Sequence, residues 1–72
     1  MTSLPHVPDD PHDDLDAYVG MDADQAERRA AGAGWRTVRR LAPDAVITLE
    51  YVAGRLNLAV AADGTVVRCW RG

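Results

Sequence analysis

Histidine and serine are absent from residues 15–72, phenylalanine is absent throughout, and cysteine occurs once. Each absence excludes something. A segment with neither His nor Ser has no serine–histidine pair for nucleophilic catalysis. Its remaining reactive groups, Thr48, Cys69, Asp24, Asp44, Glu50 and Asp63, are scattered rather than set beside a base. No glycine-rich phosphate loop and no metal-ligand spacing appears, so the chain reads as a non-enzyme with no cofactor and no metal. A single cysteine forbids an intramolecular disulfide, which suits a reducing compartment. Cys69 itself, in a strand-like stretch, reads as a core thiol. No apolar run approaches the roughly 20 residues needed to cross a bilayer. The N-terminus also lacks the basic and apolar regions of a signal peptide, so the chain as given reads as cytoplasmic with no membrane partner. With a net charge of −3 and no basic stripe, it has no electrostatic footprint for nucleic acid.

What remains is one small domain. The 72 residues allow a single modest core, and without Phe it must be filled by Leu, Val and Ala around Trp35 and Trp70. Residues 1–14 carry three of the four prolines, both histidines and the pairs Asp9-Asp10 and Asp13-Asp14. They read as a disordered acidic tail, and the spacing of His6 and His12 matches no compact metal site. The domain spans residues 15–72, with Leu15, Tyr18 and Val19 expected to lie against it before Gly20 turns the chain. Asp22 caps a helix, Gln25 three residues later fits a capping box, and Gly32 or Gly34 ends it. Its apolar stripe is Ala23, Ala26, Ala30 and Ala33, small side chains that permit close approach to a sheet.

Three strands follow. Residues 35–41 alternate imperfectly, with Trp35, Thr37 and Arg39 on one face and Arg36, Val38 and Arg40 on the other. The arginines Arg36, Arg39 and Arg40 read as a solvated face. Leu56, Leu58 and Val60 alternate with Asn57 and Ala59 and are expected to point inward, Asp63-Gly64 marks a hairpin, and residues 65–70 form a last strand. Between the first two strands lies the segment AVITLEYVAG, residues 45–54. Val46, Ile47 and Thr48 favour extended backbone. An arginine on the returning strand, Arg55, can fold back to donate to Thr48 and Glu50 and hold Leu49 outward between two anchored neighbours. A rigid extended loop presenting one apolar residue is what a protease cleft binds.

These elements in this order, Val19-Gly20, Arg36-Thr37-Val38-Arg39-Arg40, Pro43, Thr48-Leu49-Glu50-Tyr51, Arg55-Leu56-Asn57, Asp63-Gly64 and Gly72, resemble the potato inhibitor I type of serine protease inhibitor. The resemblance is closer still to bacterial and fungal peptidase inhibitors that include an Aspergillus elastase inhibitor. It implies an α+β fold, one helix packed on a small mixed sheet of about three strands, the first two parallel, with an exposed binding loop. It implies a monomer that inhibits a serine protease of the subtilisin, chymotrypsin or elastase kind. Ile47, Thr48, Leu49, Glu50 and Tyr51 would bind the enzyme by strand pairing, Leu49-Glu50 would be the scissile bond, and Arg55 and Asn57 would brace the loop. Eglin-type members carry a second arginine at the place of Asn57, and a more polar stretch where this chain has Val52, Ala53 and Gly54. A glycine there is expected to loosen the loop. The alternative is a non-inhibitory protein–protein interaction module that keeps the inhibitor fold.

Overall fold

The computed structural model describes residues 11–45 and 51–72. Chain order is a short 3-10 helix, Leu15–Tyr18; one α-helix, α1, Ala23–Ala33; and three strands, β1 Thr37–Leu41, β2 Arg55–Val60 and β3 Val66–Arg71. This is the expected α+β architecture of one helix on a three-stranded mixed sheet.

Local chemistry accounts for the boundaries. The Asp22 carboxylate accepts from the backbone N–H groups of Asp24 and Gln25 at 3.0 and 3.4 Å, satisfying donors that the first helical turn leaves open. At the other end Gly34 takes the left-handed conformation with φ 102°, and the N–H groups of Gly34 and Trp35 close onto carbonyls of the last turn. Gly32 stays inside the helix. Ala23, Ala26 and Ala30 are buried, so α1 approaches the sheet on a stripe of methyl groups, and larger side chains from the sheet fill the space between.

β2 is the central strand. It pairs parallel with β1, from Thr37 opposite Arg55 to Leu41 opposite Ala59, and antiparallel with β3, from Leu56 opposite Arg71 to Ala59 opposite Arg68. The register shifts at Val67, and Val66 pairs with Val60. Because β2 is flanked on both sides, Leu56 to Ala59 are all buried. Leu56, Leu58 and Val66 join Tyr18, Trp35 and the helix alanines in one core, with Leu15, Met21, Val38, Val60 and Cys69 packed around it. Full burial of each large aliphatic side chain contributes about 1.5–3 kcal/mol, so these few residues dominate the stability of so small a domain.

Three expectations change. Val19 does not pack inward: it is 48% exposed, whereas Tyr18 beside it is fully buried. The turn that follows at Gly20, with φ 93°, lets only one of the two neighbours face the core. Trp35 does not share a face with Thr37 and Arg39. A bend at Arg36 precedes the strand, so Trp35 enters the core with Val38. The expected tail ran to Asp14, yet its last two residues make hydrogen bonds within the domain. Asp13 accepts from the Tyr18 hydroxyl and, at 2.9 Å, from the Trp35 indole N–H, while Asp14 caps the 3-10 helix through the Asp16 N–H. Residues 1–10 lie outside the described residues.

Candidate functional site

Parallel strands cannot be joined by a tight turn, because the chain must return to the starting end of the sheet through about a dozen residues. Here residues 42–54 make that return. Of the proposed protease-binding residues, Ile47, Thr48, Leu49 and Glu50 lie outside the described residues. Both arms of the connection are described, and each is tied to the sheet face opposite α1.

Cross-strand partners share a face, so this face carries three rows: Leu41, Ala59 and Arg68 at one end; Arg39, Asn57 and Trp70 in the middle; Thr37 and Arg55, with Gly72 just beyond, at the other. The entry arm is held at the first row, where an Nη of Arg68 donates to the Pro43 carbonyl at 3.3 Å. That guanidinium lies 5.1 Å from the centroid of the Trp70 ring, a cation–π arrangement that restricts it. A turn closes beside it, the Ala45 N–H donating to the Ala42 carbonyl at 3.1 Å.

The exit arm is held at the third row. Gly72 donates its N–H to the Arg55 carbonyl at 2.9 Å and accepts from Arg55 Nε at 2.7 Å. The Tyr51 ring lies directly on Gly72: a Cβ at residue 72 would fall 2.5 Å from Tyr51 Cδ1. Glycine is required there on two counts, the close approach of the ring and a φ of 98°. The described anchor of Arg55 is the Gly72 carbonyl, and its expected partners Thr48 and Glu50 lie outside the described residues.

Gly54 behaves opposite to expectation. Its φ is 78°, it is buried, and its carbonyl accepts from the N–H groups of Arg36 and Thr37 at 2.9 and 3.3 Å. The Arg55 N–H closes the turn onto Val52. A residue with these ties pins the exit arm to the start of β1, and its glycine serves the left-handed turn rather than mobility.

The described contacts of Asn57 lie within the sheet. The residue is fully buried, its Oδ1 accepts from Arg39 Nε at 2.8 Å, and its Nδ2 donates to the Trp70 carbonyl at 3.2 Å. It spends its side chain on the sheet and on Arg39. The arginines read as a solvated face are therefore engaged: Arg39 with Asn57, Arg40 with Asp24 at 2.6 Å and with Glu27 on α1, and Arg36 packed where a Cβ on Gly54 would stand. Every charged residue of the three strands is an arginine, whereas the connection carries only Asp44 and Glu50. The sheet face opposite α1 is thus cationic, and the connection is acidic in sequence.

Away from the loop, burial pushes the Cys69 thiol up to about 11, with Asp13 adding to the rise and Arg71 opposing it. Burial, reinforced by Asp13, likewise raises the Tyr18 hydroxyl to about 12. These are neutral packing groups at physiological pH. No group of His, Cys, Asp or Glu that could hold a metal ion occurs among the described residues.

Comparison with known proteins agrees with this fold. The model of the peptidase inhibitor I78 family matches residues 13–72. The chain belongs to the peptidase inhibitor I78 family. The match starts at Asp13, the residue whose carboxylate ties the N-terminal segment to Tyr18 and Trp35. Among solved structures the chain is similar to that of the elastase inhibitor AFUEI, with a TM-score of 0.58 and 25% sequence identity, over 81% of this chain and 82% of that one. No curated protein matches. The bond from Arg68 to Pro43 and the contact of Tyr51 with Gly72 were the parts of the loop support not singled out from sequence. The signal for Arg68 was the absence of any acid in the three strands.

Proposed function

We propose that this I78 inhibitor acts on serine proteases by the substrate-like route of the potato inhibitor I type. Residues 47–51 form the binding loop, Leu49 fills the primary pocket, and the Leu49–Glu50 bond occupies the scissile position. The observation that carries the reading is the double anchoring of the connection on one sheet face, by Arg68 to Pro43 at entry and by Gly72 to Tyr51 and Arg55 at exit.

Anchored arms serve inhibition in two ways. A loop ordered before docking loses little conformational entropy on binding. After attack on the Leu49 carbonyl, the amine released at Glu50 stays attached through Tyr51 to the sheet. It is therefore held at high effective concentration beside the acyl-enzyme, and religation competes with hydrolysis. An apolar Leu suits pockets of the elastase, chymotrypsin and subtilisin kinds and not the acidic pocket of trypsin, and the similar solved structure is that of an elastase inhibitor.

The test is titration of the monomeric protein against elastase, chymotrypsin, subtilisin and trypsin, repeated with Leu49→Asp. The expected result is submicromolar inhibition of at least one of the first three, none of trypsin, and loss with Leu49→Asp, which strands a charge in an apolar pocket. Rapid cleavage without inhibition by any of them would replace this reading with a non-inhibitory interaction module.

A further inference from the structure

The chain enters the domain across the C-terminal end of α1. Pro11 lies over Gly34, where a Cβ would meet Pro11 Cγ at 3.8 Å. Two residues on, the Asp13 carboxylate accepts from the Tyr18 hydroxyl and, at 2.9 Å, from the Trp35 indole N–H. Residues 11–13 thus run along the link between α1 and β1. Trp35 is 5% exposed, and an indole N–H buried to that degree requires an acceptor. Among the described residues Asp13 is the one that serves it.

Trp35 is fixed from other directions as well. Its backbone N–H donates to the Ala30 carbonyl at 3.2 Å, and the Arg71 guanidinium stands 5.7 Å from its ring centroid, a cation–π contact. Asp13 is itself confined, because Tyr18 is fully buried and the Arg29 guanidinium stands 5.4 Å from the Tyr18 ring. The planar peptide unit after Trp35 carries the Arg36 N–H, so the placement of Trp35 sets where that donor points. It points at the exit arm. The N–H groups of Arg36 and Thr37 converge on the Gly54 carbonyl at 2.9 and 3.3 Å, and the bend at Arg36 brings these two successive donors to one acceptor.

We infer that Asp13 is a positioning residue of the inhibitory site: its carboxylate sets Trp35, and Trp35 aims the two N–H groups that hold Gly54 and the exit arm. The described bonds of Asp13 go to Tyr18 and Trp35, so its effect on the arm passes through Trp35. The N-terminal segment thereby acts from the core side of the sheet, opposite the face on which the arms are tied. The consequence at a protease rests on the inhibitory reading, whereas the placement of the arm is tested in the free protein.

Asp13→Ala removes the acceptor, Asp13→Asn keeps a neutral one, and Arg28→Gly weakens α1 at an exposed position outside these contacts. Amide hydrogen exchange is measured for Arg36 and Thr37, with Leu56 and Leu58 of β2 reporting global unfolding. In Asp13→Ala the Arg36 and Thr37 amides are expected to exchange about tenfold faster, or more, than the change at β2 accounts for, the scale of one charged hydrogen bond. Asp13→Asn should recover part of that protection and makes the same comparison if Asp13→Ala does not fold. Arg28→Gly should move all four amides alike. Against a protease that wild type inhibits, Asp13→Ala is expected to bind about tenfold more weakly, because a looser arm must be ordered on docking, and Arg28→Gly to bind as wild type does. Arg36 and Thr37 amides that merely follow β2 in Asp13→Ala would overturn the inference, as would loosened amides with unchanged inhibition. If wild type inhibits no protease while the Asp13→Ala amides loosen, the proposed function falls and the placement of the exit arm by Asp13 stands. If wild type inhibits and the amides do not respond, the function stands and Asp13 serves stability alone.

Discussion

Gly54→Ala puts the account of the exit arm at risk in its sign, not only its size. If Gly54 were merely a flexible link, alanine would reduce the freedom of the unfolded chain and stabilise the protein by about 0.4–1 kcal/mol. The structure requires the opposite. With φ at 78°, an L-residue at position 54 incurs the left-handed penalty of about 1–2 kcal/mol. The new Cβ would also stand 3.1 Å from Cδ and 3.2 Å from Cγ of Arg36. These are carbons of a flexible side chain, so that contact adds little, and the net expectation is a loss of about 1–2 kcal/mol. A chain of 72 residues has a total stability of about 4–11 kcal/mol by the usual per-residue range. The melting temperature of so small a domain should therefore fall by about 4–15 °C. Urea and thermal unfolding followed by circular dichroism would measure it, with an unchanged m-value showing that stability alone has moved. A melting temperature equal to or above that of wild type would refute the pinned turn and return Gly54 to the role of a loosening residue.

Two further outcomes follow from the N-terminal network and the lone thiol. Burial works to raise the Asp13 carboxyl, but hydrogen bonds from Tyr18 and Trp35 and the nearby Arg29 charge outweigh it and hold it below the ordinary value. A depressed folded pKa stabilises fully above the unfolded carboxylate value of about 3.9. That stability is lost as pH falls through the lower folded value, so Asp13→Asn should lower the neutral part of a stability–pH curve and change its acid end least, which flattens the acid limb. An acid limb identical to wild type would count against the network. Cys69, with its thiol at about 11, should react with iodoacetamide at pH 8 about two hundred times more slowly than a free thiol of pKa 8.5, and at the free rate in urea. Fast alkylation of the native protein would show that the thiol is not held in the packed environment described.

The elements with strong local signals were legible in the sequence. Asp22 with Gln25 marked the helix start, the alanines its buried stripe, Asp63-Gly64 the hairpin, and the alternation of Leu56, Leu58 and Val60 the inner face of β2. Less legible were positions whose role depends on what the fold brings near. Gly54 reads as a source of freedom until its carbonyl is seen to bind β1. Arg39 reads as solvated because its partner is eighteen residues away on the next strand, and no periodicity reports a hydrogen bond between neighbours in a sheet. Trp35 escaped the alternation because a bend shifts the phase before the strand begins. Asp13 looked like part of an acidic tail because its neighbours are acidic, whereas its fate is set by two donors, Tyr18 and Trp35, that the fold stacks above it. Leu49 and Arg55 stood out because an extended segment followed by a returning arginine is a local pattern.

The central claim, that an anchored loop lets protease cleave Leu49–Glu50 reversibly, is tested most directly by approaching equilibrium from both sides. Intact protein and protein already cleaved at Leu49–Glu50 are each incubated with a catalytic amount of an inhibited protease, and mass spectrometry follows the two forms. Convergence of both samples on one ratio of intact to cleaved chain is the predicted result, because the new amine stays tethered through Tyr51 and Gly72. Complete conversion of the intact protein to cleaved fragments, with no resynthesis from the cleaved form, would contradict it.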